Sequence, residues 1–255
     1  MGNGNKSALR RSIVITGGGT GIGRAVARGF AEQGEDVLIV GRTAASLRDT
    51  AEGYPGIRTS VADITAPGAP QAVVDAAQQA YGRIDVLVNN AATSVAKLLA
   101  DTTEEEIQSQ FATNVMAPIH LTRCALEPLA ASRGVVVNIS TAGALGQRTW
   151  PANGAYGASK VALDFLTRTW AVEMAPRGIR VVGIAPGVAD TGIGVRSGMT
   201  EEQYADFLKW MADRAPAGRV GTPEEIATWV RKLVEPDAGY LTGVVIPIDG
   251  GLSLT

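Results

Sequence analysis

Tyr156 and Lys160 stand four residues apart in the run Ala155-Tyr-Gly-Ala-Ser-Lys-Val-Ala-Leu163. On a helix this spacing stacks two side chains on one face, with Cβ atoms about 5–6 Å apart. A free phenol, with a pKa of about 10, holds its proton too tightly to exchange it readily at neutral pH. An ammonium group one turn away stabilises phenolate and draws that pKa down, which makes the pair a candidate proton-transfer device. A lone Y-x-x-x-K also fits an ordinary helix tyrosine beside an exposed lysine, so its meaning depends on what accompanies it.

A second constellation is Thr16-Gly-Gly-Gly-Thr-Gly-Ile-Gly23. Glycines at 17, 21 and 23 allow a tight turn and a close approach to a pyrophosphate, whose charge is favoured by free N–H groups at a helix start. The spacing is G-x-x-x-G-x-G rather than the G-x-G-x-x-G fingerprint, so position in the fold must decide its role. The stretch Val40-Gly41-Arg42-Thr43 bears on cofactor choice. At the end of a second strand an acidic residue bonds a ribose 2′-hydroxyl, whereas a basic one accommodates a 2′-phosphate. Gly41 leaves that place open and Arg42 offers a guanidinium, which predicts NADP(H) in preference to NAD(H).

Short apolar runs that could carry these groups alternate with longer amphipathic segments. Strands are predicted at 12–16, 36–40, 57–61, 85–89, 135–139, 180–184 and 244–248. Their near-continuous Val and Ile content suits strands covered on both faces. Ile22, Val26 and Phe30 recur at a spacing of four before Gly34, a helix with its stop. The alternation predicts the α/β class: a doubly wound, Rossmann-like parallel sheet of seven strands, helices on both faces, ligands beyond the strands' carboxyl ends. No linker or repeat divides the chain, so a polar tail over 1–10 and one domain over 11–255 are expected.

The 255 residues are 45% hydrophobic and 19% charged, enough for a large core. A net charge of -2 and a pI of about 5.6 provide no basic surface for nucleic acid or a membrane. One cysteine, Cys124, excludes an internal disulfide, and one histidine, His120, leaves too few soft ligands for structural zinc, so no metal is expected. The start, MGNGNKSALRR, lacks the apolar centre of a signal peptide and, with Lys6, misses the myristoylation pattern. No membrane-length apolar run occurs, and a cytoplasmic protein is expected.

In this order, each after its expected element, the motifs TGGGTGIG (16–23), Asp63, NNAA (89–92), Asn114, NIST (138–141), YGASK (156–160), APG (185–187), RVGTPEEIA (219–227) and YLTGVVIPIDGG (240–251) are too many for accident. The chain resembles the short-chain dehydrogenase/reductase family in its compact single-domain branch, with 3-oxoacyl carrier-protein reductases the nearest in kind, over residues 10–253. The resemblance implies hydride transfer between NADP(H) and a carbonyl or secondary alcohol, as in a ketoreductase. It makes Tyr156 the general acid of reduction and general base of oxidation. It has Lys160 also bonding the nicotinamide ribose, and Asn114 holding a water that links Lys160 to solvent.

The cofactor contacts so implied fall on Gly17, Thr20, Gly21, Ile22, Arg42, Asp63, Ile64, Asn90, Ala91, Tyr156, Lys160, Pro186, Gly187, Ala189 and Thr191. Asp63 is to bond the adenine amino group, and Asn89 and Asn90 to hold the loop after the fourth strand against the cofactor. The backbone near Ala189 and the Thr191 hydroxyl are to hold the carboxamide and phosphates. Taken alone, Asp63 is equally a turn former before Thr65 and Pro67, and Asn114 a solvent-facing helix amide. Ala92 and Gly183 depart from the family's glycine and asparagine.

The family also polarises the carbonyl with a hydroxyl at the end of the fifth strand, which Ser140 and Thr141 both offer. Register counted from Gly134 and Asn138 points to Thr141; the glycines that follow point to Ser140. Successive strand residues face opposite ways, so one of them serves. Ser140 is favoured, because serine is the family's usual choice. The insert 147–153 before Tyr156 is longer than usual, and its Trp150 either lines the pocket or pins the loop. The segment 190–215, with glycines at 192, 194 and 198 and then Tyr204, Phe207, Leu208 and Met211, fits a mobile lid over an apolar substrate or a core stripe.

The Tyr–Lys spacing is closer than in enoyl reductases, and the chain is shorter than sugar-nucleotide epimerases. An intact Asn114, Tyr156 and Lys160 set argues against a non-catalytic dinucleotide sensor. Val172 and residues 130–132 are not basic, which disfavours docking of an acidic carrier and points to a free small molecule. The family implies a homotetramer or homodimer formed through the helices of Asn114 and Tyr156 and the C-terminal strand.

Overall fold

Valine- and isoleucine-rich runs become strands buried on both faces, and the connections between them determine which side each helix covers. The computed structural model describes residues 10–146, 149–196 and 198–255. Most of the predicted tail and two residues of the insert, Gln147 and Arg148, lie outside the described residues, as does Ser197.

The first half runs β1 (Ser12–Thr16), α1 (Gly21–Glu32), β2 (Asp36–Gly41), α2 (Ala44–Ala51), β3 (Ile57–Val61), α3 (Ala69–Tyr81) and β4 (Val86–Asn89). Three helices follow, α4 (Glu104–Phe111), α5 (Ala117–Cys124) and α6 (Leu126–Ser132), before β5 (Val135–Ile139). The long α7 (Gly154–Met174) leads to β6 (Arg180–Pro186). Then come α8 (Ile193–Arg196), α9 (Glu201–Arg214), α10 (Pro223–Leu233) and β7 (Val245–Ile248).

The seven strands form one parallel sheet in the order β3-β2-β1-β4-β5-β6-β7. Each predicted strand is present, with ends shifted by two residues at most. Alternation along the strands splits the core in two. Ile13 and Ile15 of β1 pack with Val26 and Phe30 of α1 and Val230 of α10, whereas Val14 packs with the layer of α3, α5, α6 and α7. The edge strands β3 and β7 are less buried than the five between them.

Strand order reverses between β1 and β4, so the loops after them diverge and leave a crevice at the carboxyl edge. Capping boxes start three helices: Thr103 with Glu106, Thr200 with Gln203, and Thr222 with Glu225. Helix α1 differs. Thr20 makes no side-chain cap bond and no acidic residue occupies the first turn, so the first N–H groups of α1 face the crevice without a carboxylate of their own.

Candidate active site

The glycine loop is fixed from two sides. Thr16 Oγ1 accepts the N–H groups of Asn90 and Ala91, each at 3.0 Å, and Asn90 Nδ2 donates to the carbonyls of Thr16 at 2.8 Å and Gly17 at 3.2 Å. A Cβ on Gly23 would lie 2.3 Å from the Gly17 carbonyl oxygen. Gly17 is left-handed, with φ of 67°, and turns the chain beneath Ala91. Thr191, arriving from β6, closes over Gly21: a Cβ there would meet Thr191 Cβ at 3.0 Å. Ile22, half-buried, packs into the α1 and α10 side of the core. This is a backbone cradle open to an anion at the start of α1.

Arg42, directly after β2, is exposed and, among the described residues, makes no hydrogen bond or ion pair. Its charge acts on Asp63 at the end of β3. Asp63 accepts the Thr65 N–H at 2.9 Å and hydroxyl at 2.7 Å, and these bonds hold its carboxyl below the usual range. It is therefore a turn former, with one oxygen engaged in that turn. Ile64 beside it is buried. An open cavity of about 440 Å³ lies behind this turn, against His120 and Cys124 of α5, and contains neither Tyr156 nor Lys160.

Asn89 and Asn90 separate in role. Only Asn90 touches the glycine loop; Asn89 is buried and donates to Asn138 at 2.9 Å and Thr122 at 3.2 Å, tying β4 to β5 and α5. Asn114 is fully buried, not solvent-facing, in a widened turn over Ala112–Met116 where the Ala117 N–H bonds the Ala112 carbonyl five residues back. Its side chain accepts the Thr93 N–H at 2.8 Å and donates to the Thr93 carbonyl at 2.9 Å and Ser159 Oγ at 3.0 Å. Every polar atom of the amide is used, so it clamps the loop after β4 to α7. One extra residue in a helical turn leaves a main-chain carbonyl without its helical partner, a group that can hold water.

Polar side chains on the inner face of α7 meet the end of β5 rung by rung. Thr167 Oγ1 accepts Asn138 Nδ2 at 2.9 Å. Asp164 lies within reach of Ser140, and Lys160 Nζ donates to the Ile139 carbonyl at 2.7 Å. Tyr156 lies within hydrogen-bonding reach of Thr141. Lys160 Nζ stands 5.9 Å from the Tyr156 ring centroid. Burial pushes the phenol up to about 12, and the Thr141 hydroxyl acts in the opposite direction. Burial also pulls the lysine down to about 8, against the charge of Asp164. The hydroxyl beside Tyr156 is thus Thr141, whereas Ser140, favoured because serine is the family's usual choice, faces Asp164. Leaving the strand, consecutive residues point opposite ways, and the register counted from Gly134 and Asn138, rather than the count from the following glycines, agrees with the contact to Tyr156.

Beyond Thr141 the Trp150 ring lies on Gly143, where a Cβ would come within 1.8 Å of it, so Trp150 pins this loop. Ala152 has a left-handed φ of 64° and its carbonyl accepts the Lys97 N–H at 2.8 Å, joining the loops after β4 and β5. At the end of β6, Pro186 leads into Gly187, whose Cβ would lie 2.7 Å from Asp249 Cα. Ala189 pairs with Gly221. The Tyr204 hydroxyl donates to Asp190 Oδ1 and accepts the Gly192 N–H, both at 3.1 Å. Tyr204 and Met211 are buried, Met211 against Ala215 and Leu252, while Phe207 and Leu208 are half-buried, so the predicted stripe is partly core. At Gly183 the Val245 side chain fills the space over the backbone. Ser159, Asp164 and Thr93 were not singled out from sequence; Asp164 was detectable as the one carboxylate four residues beyond Lys160 in an apolar helix.

A dinucleotide cradle at the switch point, next to a Tyr–Lys pair and a hydroxyl, defines an oxidoreductase of carbonyl and alcohol groups working with a nicotinamide dinucleotide. A family model described as enoyl-(acyl carrier protein) reductase matches residues 17–253. The chain is 37% identical over 244 residues to a 3-oxoacyl-[acyl-carrier-protein] reductase of Thermotoga maritima, covering 94% of this chain and 96% of that one. It is 32% identical to an L-xylulose reductase of Bos taurus, over 96% and 97% of the two chains. A crystal structure of a short-chain dehydrogenase/reductase of unknown function from Caenorhabditis elegans, with cofactor, superposes with a TM-score of 0.92 at 32% identity, each chain covered to 97%. The chain belongs to the short-chain dehydrogenase/reductase family. Among the described residues no helix is long and apolar enough to cross a membrane.

Proposed function

We propose that the protein is an NADP(H)-dependent ketoreductase acting on a free small-molecule ketone. The observation that carries this reading is Tyr156 set between the Thr141 hydroxyl and buried Lys160. The residues present fit a dinucleotide: glycine loop and α1 start for the pyrophosphate, Arg42 for a 2′-phosphate, Asp63 and Ile64 for adenine. Asn90 and Ala91 hold the loop, and Pro186, Gly187, Ala189 and Thr191 line the nicotinamide end. When bound, NADPH supplies the hydride.

The chain's own residues do the rest. Thr141 and Tyr156 both donate to the substrate carbonyl oxygen, polarising it and fixing its place. As that oxygen gains negative charge, the Tyr156 proton passes to it, and hydride plus proton complete the alcohol. Lys160 makes that loss affordable by placing positive charge beside the phenolate, and the turn at Asn114 carries the water through which the proton is replaced. In alcohol oxidation the same proton moves the other way.

Val172, 77% exposed, and residues 130–132 are not basic, which supports a free substrate over an acidic carrier. Phe165, Val161 and Ile107 are likewise exposed on the outer faces of α7 and α4, which supports a homotetramer or homodimer built through these helices. The same reading puts the enzyme in the cytoplasm, and treats 190–215 as a lid hinged at its glycines. NADPH consumption followed over a panel of free ketones, acyl thioesters and sugars tests it. Turnover of free ketones that disappears in Tyr156→Phe is expected; a Tyr156→Phe variant with full turnover would sink the proposal.

A further inference from the structure

Two buried polar side chains near Lys160 take no part in the reaction as described. Asp164 lies one turn beyond Lys160 on the inner face of α7, and Ser140 opposes it from the end of β5; each is 4% exposed. Asp164 Oδ1 and Ser140 Oγ make no formed hydrogen bond. A carboxylate in such a place costs folding energy, and a helix face that only packed against β5 would be better served by an apolar side chain. Burial pushes the Asp164 carboxyl up, while Ser140, Arg168 and Lys160 act to keep it charged; the last two are the charged groups facing it.

We propose that Asp164 is a positioning residue that holds the proton on Lys160, so that a buried ammonium rather than a neutral amine stands beside Tyr156. The inference rests on the reading of Tyr156 as proton donor and acceptor. Lys160 and Tyr156 are two coupled groups sharing protons, and the state with Lys160 charged and Tyr156 ionised competes with the state in which both are neutral. A negative carboxylate one turn from Lys160, and two turns from Tyr156, favours the first state. Without it, burial takes the proton from Lys160, and Tyr156 must ionise beside a neutral amine. Ser140 contributes by offering a donor to the carboxylate.

The test is the near-ultraviolet phenolate absorbance of Tyr156 across pH in the NADP+-saturated enzyme, obtained by subtracting the same titration of Tyr156→Phe. Asp164→Asn is expected to raise the midpoint by about one pH unit, about tenfold less phenolate at a given pH. Ser140→Ala moves it the same way by less, and Asp164→Glu restores it. An unchanged midpoint overturns the proposal. A lowered one does so as well, since that is the result of removing a negative charge that acts on the phenol directly. If Asp164→Asn does not fold by circular dichroism, Ser140→Ala decides on the same criterion. A wild-type enzyme with no Tyr156 phenolate step would overturn the acid–base reading itself, whereas failure of Asp164 alone leaves that step intact.

Discussion

Thr141 and Tyr156 lie within hydrogen-bonding reach of one another at the end of β5, while Ser140, one residue earlier, faces Asp164 inside. If both outer hydroxyls donate to the carbonyl oxygen, loss of one is costly: Thr141→Ala is expected to lower kcat by about 100-fold or more. Thr141→Ser retains most activity. Ser140→Ala loses far less, and in alcohol oxidation, where Tyr156 must be ionised, its loss recovers as pH rises. A steady-state comparison in which Ser140→Ala shows the larger loss at every pH would reverse the assignment.

Gly23→Ala tests the cradle. The added methyl meets the Gly17 carbonyl oxygen, which is backbone and cannot swing away. A loss of about 1–3 kcal/mol in unfolding free energy by urea titration is expected, together with cofactor binding about tenfold weaker. Normal binding measured by fluorescence titration would show that the loop relaxes freely.

Arg42 decides between the two dinucleotides in this reading. Arg42→Ala is expected to weaken NADPH by about 1.5–3 kcal/mol, roughly tenfold to a hundredfold, with NADH little changed. Gly41→Asp should favour NADH, since a Cβ at Gly41 meets Leu47 at an ordinary 3.4 Å. Equal affinities for both cofactors in the wild type, unmoved by Arg42→Ala, would remove the preference for NADP(H).

The Lys160 and Asp164 pair predicts a pH-dependent cost. Burial pulls Lys160 down to about 8 in the fold from an ordinary 10.5, so between those pH values the unfolded chain binds the extra proton and stability rises with pH. Below pH 8 the buried charge opposes folding in full. Replacing both residues, Lys160→Met with Asp164→Leu, is expected to stabilise the protein at pH 7 by about 1–4 kcal/mol while abolishing turnover. The advantage fades toward pH 10.5. Denaturant unfolding at pH 7 with the wild type the more stable would refute it.

All seven strands and the switch-point loops were legible in the sequence, because continuous valine and isoleucine runs have few other uses and glycine spacing declares where backbone must touch backbone. Tyr156 and Lys160 were legible for the same reason: a fixed helical spacing. Ser140 and Thr141 were not separable, since each hydroxyl fits and only the phase of the strand end distinguishes them. Asn114 was located, yet its partners belong to a loop twenty-one residues away in sequence, Thr93, and to Ser159 on another helix, relations that no local pattern encodes. Nor does any spacing rule announce the widened turn that contains it.

That turn makes length itself a carrier of information. Losing one residue of 112–116 would let the segment close into a regular helix, leaving α4 and α5 in line but turning the residues between them by about 100° onto other faces. Asn114 would leave Thr93 and Ser159, and the loop after β4 would lose its anchor. In the gene, an in-frame deletion here is expected to be as damaging as a change at Tyr156, although it removes no residue that touches a substrate.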